Sequence, residues 1–221
     1  MNKLEADNIE LSYGAKSILR GIYLKAEKGE ITGILGSNGS GKTSLLNIIF
    51  GQLKPNNKFI RIDSLPILKP LYSQVKIHYL PQFSIIPNSM SIEKGFYHYN
   101  VSLDEFLTDF PNYSSIDNIE LTKFRNLSSG EKRVIEIYLT LKSNADIILL
   151  DEPFSYVAPL YVEKIKHLLL SVKKDKIVII TDHFYKDILS LSNVTYFIKN
   201  GCSKLISNPQ DLVTNGYIRQ L

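Results

Sequence analysis

Residues 29–51 read GEITGILGSNGSGKTSLLNIIFG. ITGIL (31–35) is an apolar run of strand length, GSNGSGKT (36–43) is a glycine-rich loop, and TSLLNIIF reads as a helix that Gly51 stops. Strand, loop and helix in this order around G-x-x-x-x-G-K-[ST] form the phosphate-loop pattern. The glycines let backbone N–H groups converge on phosphate oxygens, and the N-terminus of the following helix favours negative charge. Gly36, Ser37, Asn38, Gly39, Ser40 and Gly41 make the cradle, with Ser44 at its far end. Lys42 is placed to reach the β- and γ-phosphates and Thr43 to ligate Mg2+. The plainer alternative is a glycine turn with a chance lysine, and the flanking strand and helix argue against it.

A phosphate loop needs an acid for its metal, and IILLDEPFSYVAP (147–159) supplies two. The apolar run DIILL (146–150) leads into Asp151 and Glu152. Asp151 at a strand end is placed to hold Mg2+, usually through water. Glu152, one residue on, points differently and is placed to polarise an attacking water as general base. Capping of the next helix is the alternative for both acids. A second all-apolar run, KIVII (176–180), follows the helical stretch PLYVEKIKHLLLSVKK. Unbroken apolar strands separated by a helix predict a buried parallel sheet in an α/β domain.

The remaining chain is organised around this core. IELSY (9–13) and IYLKA (22–26) are short β-like runs near the N-terminus, residues 52–80 mix strand and loop up to IHYL (77–80), and VTYFIKNGCSKLIS predicts a hairpin turning at Asn200-Gly201. SGEKRVIEIYLTLKS (129–143) has helical spacing. Between Pro81 and Asn126, prolines, aromatics and short apolar spacings predict short helices joined by loops. The reading is one domain over 1–221, with 1–81 and 127–221 as core and 82–126 as a small inserted helical subdomain.

Composition narrows the classes. With 44% hydrophobic residues the chain can bury a sizeable core, and the net charge of +4 is scattered. Lys173, Lys174 and Lys176 form a short cluster that suits a solvated loop better than a nucleic-acid patch. A single cysteine, Cys202, allows no intramolecular disulfide and fits a reduced, intracellular setting. The N-terminus MNKLEADNIE is too polar for a secretory signal. No apolar run approaches ~18 residues, so work at a membrane would require a partner.

Four further segments carry a family resemblance. Leu127-Ser128-Ser129-Gly130-Glu131 opens a helix, Tyr79-Leu80-Pro81-Gln82 ends a strand, Thr181-Asp182-His183 follows KIVII, and Tyr13 sits in a strand before the phosphate loop. Together with Lys42, Asp151 and Glu152, and in this order over essentially the whole chain, they resemble the ATP-binding cassette (ABC) ATPases. The resemblance implies a P-loop NTPase with a RecA-like core, a parallel sheet, an N-terminal antiparallel β subdomain and an inserted helical subdomain. It implies ATP and Mg2+ as ligands, with Tyr13 stacking on adenine (a core strand aromatic is the alternative) and Gln82 ligating the metal or its water. His183 is then the group that contacts the γ-phosphate and positions the water; His78, His98 and His167 have no such support. Ser128 and Gly130 offer a hydroxyl and an N–H at a helix N-terminus. In the family this signature segment, here also including Ser129 and Glu131, serves the γ-phosphate of the opposite subunit in an ATP-dependent head-to-tail dimer. A homodimer is the simpler form, and pairing with a different cassette stays open.

Three departures stand out. Ser129 and Glu131 replace a glycine and a glutamine of the family signature, the stretch between Gln82 and Leu127 is short, and Ala158 stands where the family carries an aspartate that contacts the other subunit. DEPF with x-x-V-x-P, SGEKRVIEI and the C-terminal NPQDLVTNGYIRQL resemble the branch of lipopolysaccharide-export and branched-chain amino-acid import ATPases. The function implied is an ATP-hydrolysing subunit at the cytoplasmic face of the cell membrane, driving an integral-membrane transporter subunit, with no nucleic acid as partner. A regulatory, weakly hydrolysing cassette and a soluble ABC ATPase acting on nucleic acid or the ribosome are the alternatives.

Overall fold

The computed structural model describes residues 1–214 and 216–218. The C-terminal resemblance read in residues 208–221 therefore falls partly outside the described residues. The chain opens with a hairpin of β1 (Lys3–Tyr13) and β2 (Lys16–Glu27), then β3 (Ile31–Leu35), α1 (Lys42–Phe50), β4 (Asn57–Ile62), β5 (Leu65–Pro66) and β6 (Ile77–Leu80). Next come α2 (Ile92–Tyr99), α3 (Leu103–Asp109) and α4 (Ser129–Lys142). The last part is β7 (Ile147–Asp151), α5 (Pro159–Val172), β8 (Ile177–Thr181), α6 (Tyr185–Leu191), β9 (Val194–Lys199), β10 (Cys202–Ile206) and α7 (Gln210–Thr214).

Two sheets result. One is antiparallel, in the order β2-β1-β4-β5; the other runs β10-β9-β3-β8-β7-β6 and is parallel except for β10 at its edge. Both hairpin strands are longer than the runs seen in the sequence. Their polar residues alternate with buried Leu4, Ala6, Leu19 and Leu24, so an apolar-run criterion finds only part of each.

Every residue of β3, β7 and β8 is buried, which is why these strands are apolar on both faces. Successive residues serve different layers. Ile147, Leu149, Ile177 and Ile179 pack with α1 and the antiparallel sheet. Ile148, Leu150, Val178 and Ile180 pack under α4, α5 and α6. This two-sided burial holds the carboxyl ends of β3, β7 and β8 side by side, with Asp151 in register with Thr181. The phosphate loop, the paired acids and the histidine all leave from those ends, where open α/β sheets form their crevice.

The stretch after Gln82 does contain short helices. α2 and α3 start at Ser91 and Ser102, whose hydroxyls cap them. Their aromatic residues do not form a separate core. Phe96, Phe106, Phe110 and Tyr113 gather around Tyr138 of α4, with Phe106 stacked on Phe110 at 5.2 Å and edge-on to Tyr138 at 5.0 Å. That cluster is continuous with Leu80, Leu150 and Val178 of the sheet. Two helices this short bury too little alone, so α4 serves as their floor.

Candidate nucleotide site

The phosphate loop turns into α1 at Gly41, whose φ of +101° lies in the left-handed region open to glycine. No side chain caps α1, so the first-turn N–H groups of Lys42 and its neighbours are free to serve an anion. Lys42 is almost wholly buried, and its Nζ donates to the carbonyl oxygens of Gly36 at 2.8 Å and Ser37 at 3.4 Å. An ammonium has three donors, so one remains. Burial holds this ammonium below the ordinary lysine range, and the Glu152, Asp151 and Asp182 carboxylates pull the other way without offsetting it.

Asp151 is fully buried at the end of β7. Its Oδ1 accepts from Thr181 Oγ1 at 2.6 Å and its Oδ2 from the Tyr79 hydroxyl at 3.3 Å. Burial and the Asp151 charge push the Tyr79 phenol well up, so it stays a neutral donor. Glu152 takes φ +47°, a conformation that costs a non-glycine residue about 1–3 kcal/mol. Its N–H donates to the Thr181 carbonyl at 2.9 Å, and this bond helps hold the turn. The turn sends the Glu152 side chain away from Asp151: its Oε2 lies 3.5 Å from Nδ1 of His183. The His183 loop is held by Asp182, whose fully buried carboxylate accepts the N–H groups of His183 at 2.7 Å, Phe184 at 3.0 Å and Phe154 at 3.4 Å. Burial pushes the Asp182 carboxyl up, and these amides resist the shift.

A cavity of about 370 Å3 collects Tyr13, Asn38, Gly39, Gly41, Lys42, Thr43, Ser44, Gln82 and Glu152. Tyr13 is 58% exposed, so it is not a core aromatic and its ring is accessible at the cavity's rim. Gln82 Nε2 donates to Thr43 Oγ1 at 3.3 Å; a half-turn of the amide presents its oxygen instead. The oxygen donors Thr43, Gln82 and Asp151 are a hard set suited to Mg2+. Among the described residues no group of three or more His, Cys, Asp or Glu is placed to hold a metal ion.

Ser128, Ser129, Gly130 and Glu131 do not line this cavity; they form the N-terminus of α4. The Ser128 hydroxyl accepts the Glu131 N–H at 3.2 Å, and the Glu131 carboxylate accepts the Ser128 N–H at 2.7 Å, a capping box. Glu131 thus closes its own helix end. Gly130 has a local reason as well, since a Cβ there would stand 2.6 Å from the Tyr156 carbonyl oxygen. Sequence reasoning missed Tyr79, Thr181 and Asp182 as supports of the acids and the histidine. It also missed Arg133 and Glu136, charged side chains that are 4% and 2% exposed on α4. Two charges three residues apart inside an apolar helical run were the available signal.

Residues 19–155 match the family model of the ABC transporter. The chain belongs to the ABC transporter family. It is 30% identical to a probable ABC transporter ATP-binding protein of Azorhizobium caulinodans, over 99% of this chain and 82% of that one. It is 28% identical to the lipopolysaccharide export system ATP-binding protein LptB of Haemophilus influenzae, over 100% of this chain and 97% of that one. A putative ABC transporter ATP-binding protein structure from Pyrococcus furiosus superposes with a TM-score of 0.74 at 28% identity, covering 89% of this chain and 97% of the other.

Proposed function

We propose that the chain binds and hydrolyses ATP as the ATPase subunit of an ABC transporter, powering a separate membrane-spanning partner. The observation that carries this reading is the convergence of Lys42, Thr43, Gln82 and Glu152 on one cavity at the carboxyl ends of β3 and β7. The phosphate loop and the free N–H groups of α1 bind the phosphates, and Tyr13 stacks on the base. Bound Mg2+, held by Thr43, Asp151 and Gln82, would neutralise the β- and γ-phosphate charge. Glu152 takes a proton from water as the water oxygen bonds to the γ-phosphorus and the bond to the β-bridging oxygen breaks. His183, oriented by Asp182 and 3.5 Å from Glu152, positions that water and the γ-phosphate.

Ser128 and Gly130 lie outside the cavity of their own chain, which supports a head-to-tail dimer in which they complete the partner's site. Residues 82–126 are the inserted helical subdomain on a core of 1–81 and 127–221. No helix among the described residues is long and apolar enough to cross a membrane, so the chain would sit at the cytoplasmic face of the cell membrane through its partner. Lipopolysaccharide is named for LptB relatives and is one cargo class to test here.

Glu152→Gln tests the proposal. ATP turnover should fall about 10²- to 10⁴-fold while ATP binding persists and the chain dimerises with ATP and magnesium. Retained turnover removes Glu152 as base, and a chain that stays monomeric in excess ATP and magnesium counts against shared sites. A weakly hydrolysing cassette is the second reading, favoured by Ala158 and by the Glu131 carboxylate at the signature end of α4.

A further inference from the structure

Arg133 and Glu136 are nearly sealed from water on α4, and neither forms a salt bridge within 4 Å among the described residues. Charges so placed cost several kcal/mol unless hydrogen bonds satisfy them. Here the partners are backbone and hydroxyl groups, several of them at the two ends of one loop, and among the described residues only the buried Nε of Arg133 is left without one. Arg133 Nη1 donates to the Pro81 carbonyl at 2.6 Å. Glu136 Oε1 accepts the Ser84 hydroxyl at 2.6 Å and the N–H groups of Ile85 at 2.9 Å and Ile86 at 3.3 Å. Gln82 hangs between these two anchors, exposed, and reaches Thr43 Oγ1. The other arm of Arg133 donates to the carbonyls of Asp151 at 2.7 Å and Glu152 at 3.1 Å. One helix therefore grips both the loop that carries Gln82 and the strand end that carries the two acids.

We propose that Arg133 and Glu136 are positioning residues that hold Gln82 over Thr43 by anchoring the Pro81–Ile86 span at both ends to α4. Neither side chain lines the nucleotide cavity, so both act through Gln82. Because α4 begins at Ser128, this arrangement makes the signature segment and the Gln82 loop one mechanical unit. The inference rests on the proposed role of Gln82 as a ligand of the nucleotide's metal.

The readout is the ratio of ATP affinities measured with Mg2+ and with excess EDTA, by equilibrium binding of ATP to the purified chain. Gln82→Ala should lower that ratio by about tenfold, the scale on which metal-site partners act. Glu136→Met, which keeps volume and removes the acceptor, should lower it by a similar factor. Glu136→Gln, which keeps an acceptor oxygen, should restore most of it. Glu136→Met added to Gln82→Ala should have no further effect. Should Glu136→Met fold poorly, Ser84→Ala removes one anchor bond at an exposed position and should lower the ratio by a smaller factor. Faster hydrogen exchange at Ile85 and Ile86 should accompany these losses. If Gln82→Ala lowers the ratio and neither Glu136→Met nor Ser84→Ala does, the anchoring proposal is overturned. If Gln82→Ala leaves the ratio unchanged, the metal role of Gln82 fails, and the proposal falls with it.

Discussion

Gly130 lies so close to Tyr156 that a Cβ at position 130 would stand 2.6 Å from the Tyr156 carbonyl oxygen. The first residues of α4 and the loop after β7 are thus pressed together, backbone against backbone, within one chain. Gly130 is required by this contact whether or not phosphate ever approaches it.

Gly130→Ala should therefore act through the Tyr156 loop. An added methyl must displace backbone that already holds φ +66° at Tyr156. ATP affinity of the single chain should stay within about twofold, because the cavity lies elsewhere, while ATP-dependent dimerisation in the Glu152→Gln background is lost. Light scattering with and without ATP and magnesium measures this. Full dimerisation would show that the loop tolerates the shift.

Lys42→Ala should abolish ATP binding, and unchanged affinity would sink the phosphate-loop assignment. The wild-type lysine also predicts a proton signature. Burial depresses its ionisation, and phosphate charge must raise it again. The bound state then holds more protons than the free state, so ATP affinity falls as pH rises through the window between the two lysine values. Calorimetry on the alkaline side, in buffers of different ionisation heat, should show uptake of up to about one proton. Lys42→Arg should abolish the uptake if it still binds.

Ala158 occupies the N-cap of α5 with an extended backbone and no side-chain cap. Ala158→Asp should add about 0.5–2 kcal/mol of stability as a cap. If the same carboxylate also restores contact between subunits, steady-state ATPase activity rises with it. Thermal unfolding and turnover separate the two effects. A higher Tm with unchanged turnover would make Ala158 neutral for communication.

Phe106 is fully buried among Phe96, Phe110, Tyr113 and Tyr138. Phe106→Ala should cost about 3–5 kcal/mol through the cavity it leaves. Chemical denaturation should show one lowered transition, because this cluster is continuous with the core under α4. A separate early transition for residues 82–126 would mean that they fold as an independent unit.

Much of the fold was legible because it rests on local pattern. ITGIL became β3 without a change of boundary, and DIILL and KIVII became β7 and β8 shifted by one residue. Strands covered on both faces must be apolar throughout, and that shows in any window of the sequence. The phosphate loop, Asp151 and Glu152 were legible for a related reason, since each sits at a strand end marked by its own apolar run, whereas the reading of His183 leaned on the family resemblance. The sequence alone therefore determined which groups stand at the carboxyl edge of the sheet.

What it left undecided was how those groups are held. That Thr181 and Tyr79 grip Asp151, and that Arg133 and Glu136 hold the loop around Gln82, are contacts between segments up to 72 residues apart. The close approach of Gly130 to the Tyr156 loop is of the same kind, whereas the capping box of Ser128 and Glu131 is a local S-x-x-E pattern that the sequence itself carries. Hydrogen bonds between segments far apart in the chain are set by distance and direction in space, and neither is encoded by spacing along the chain.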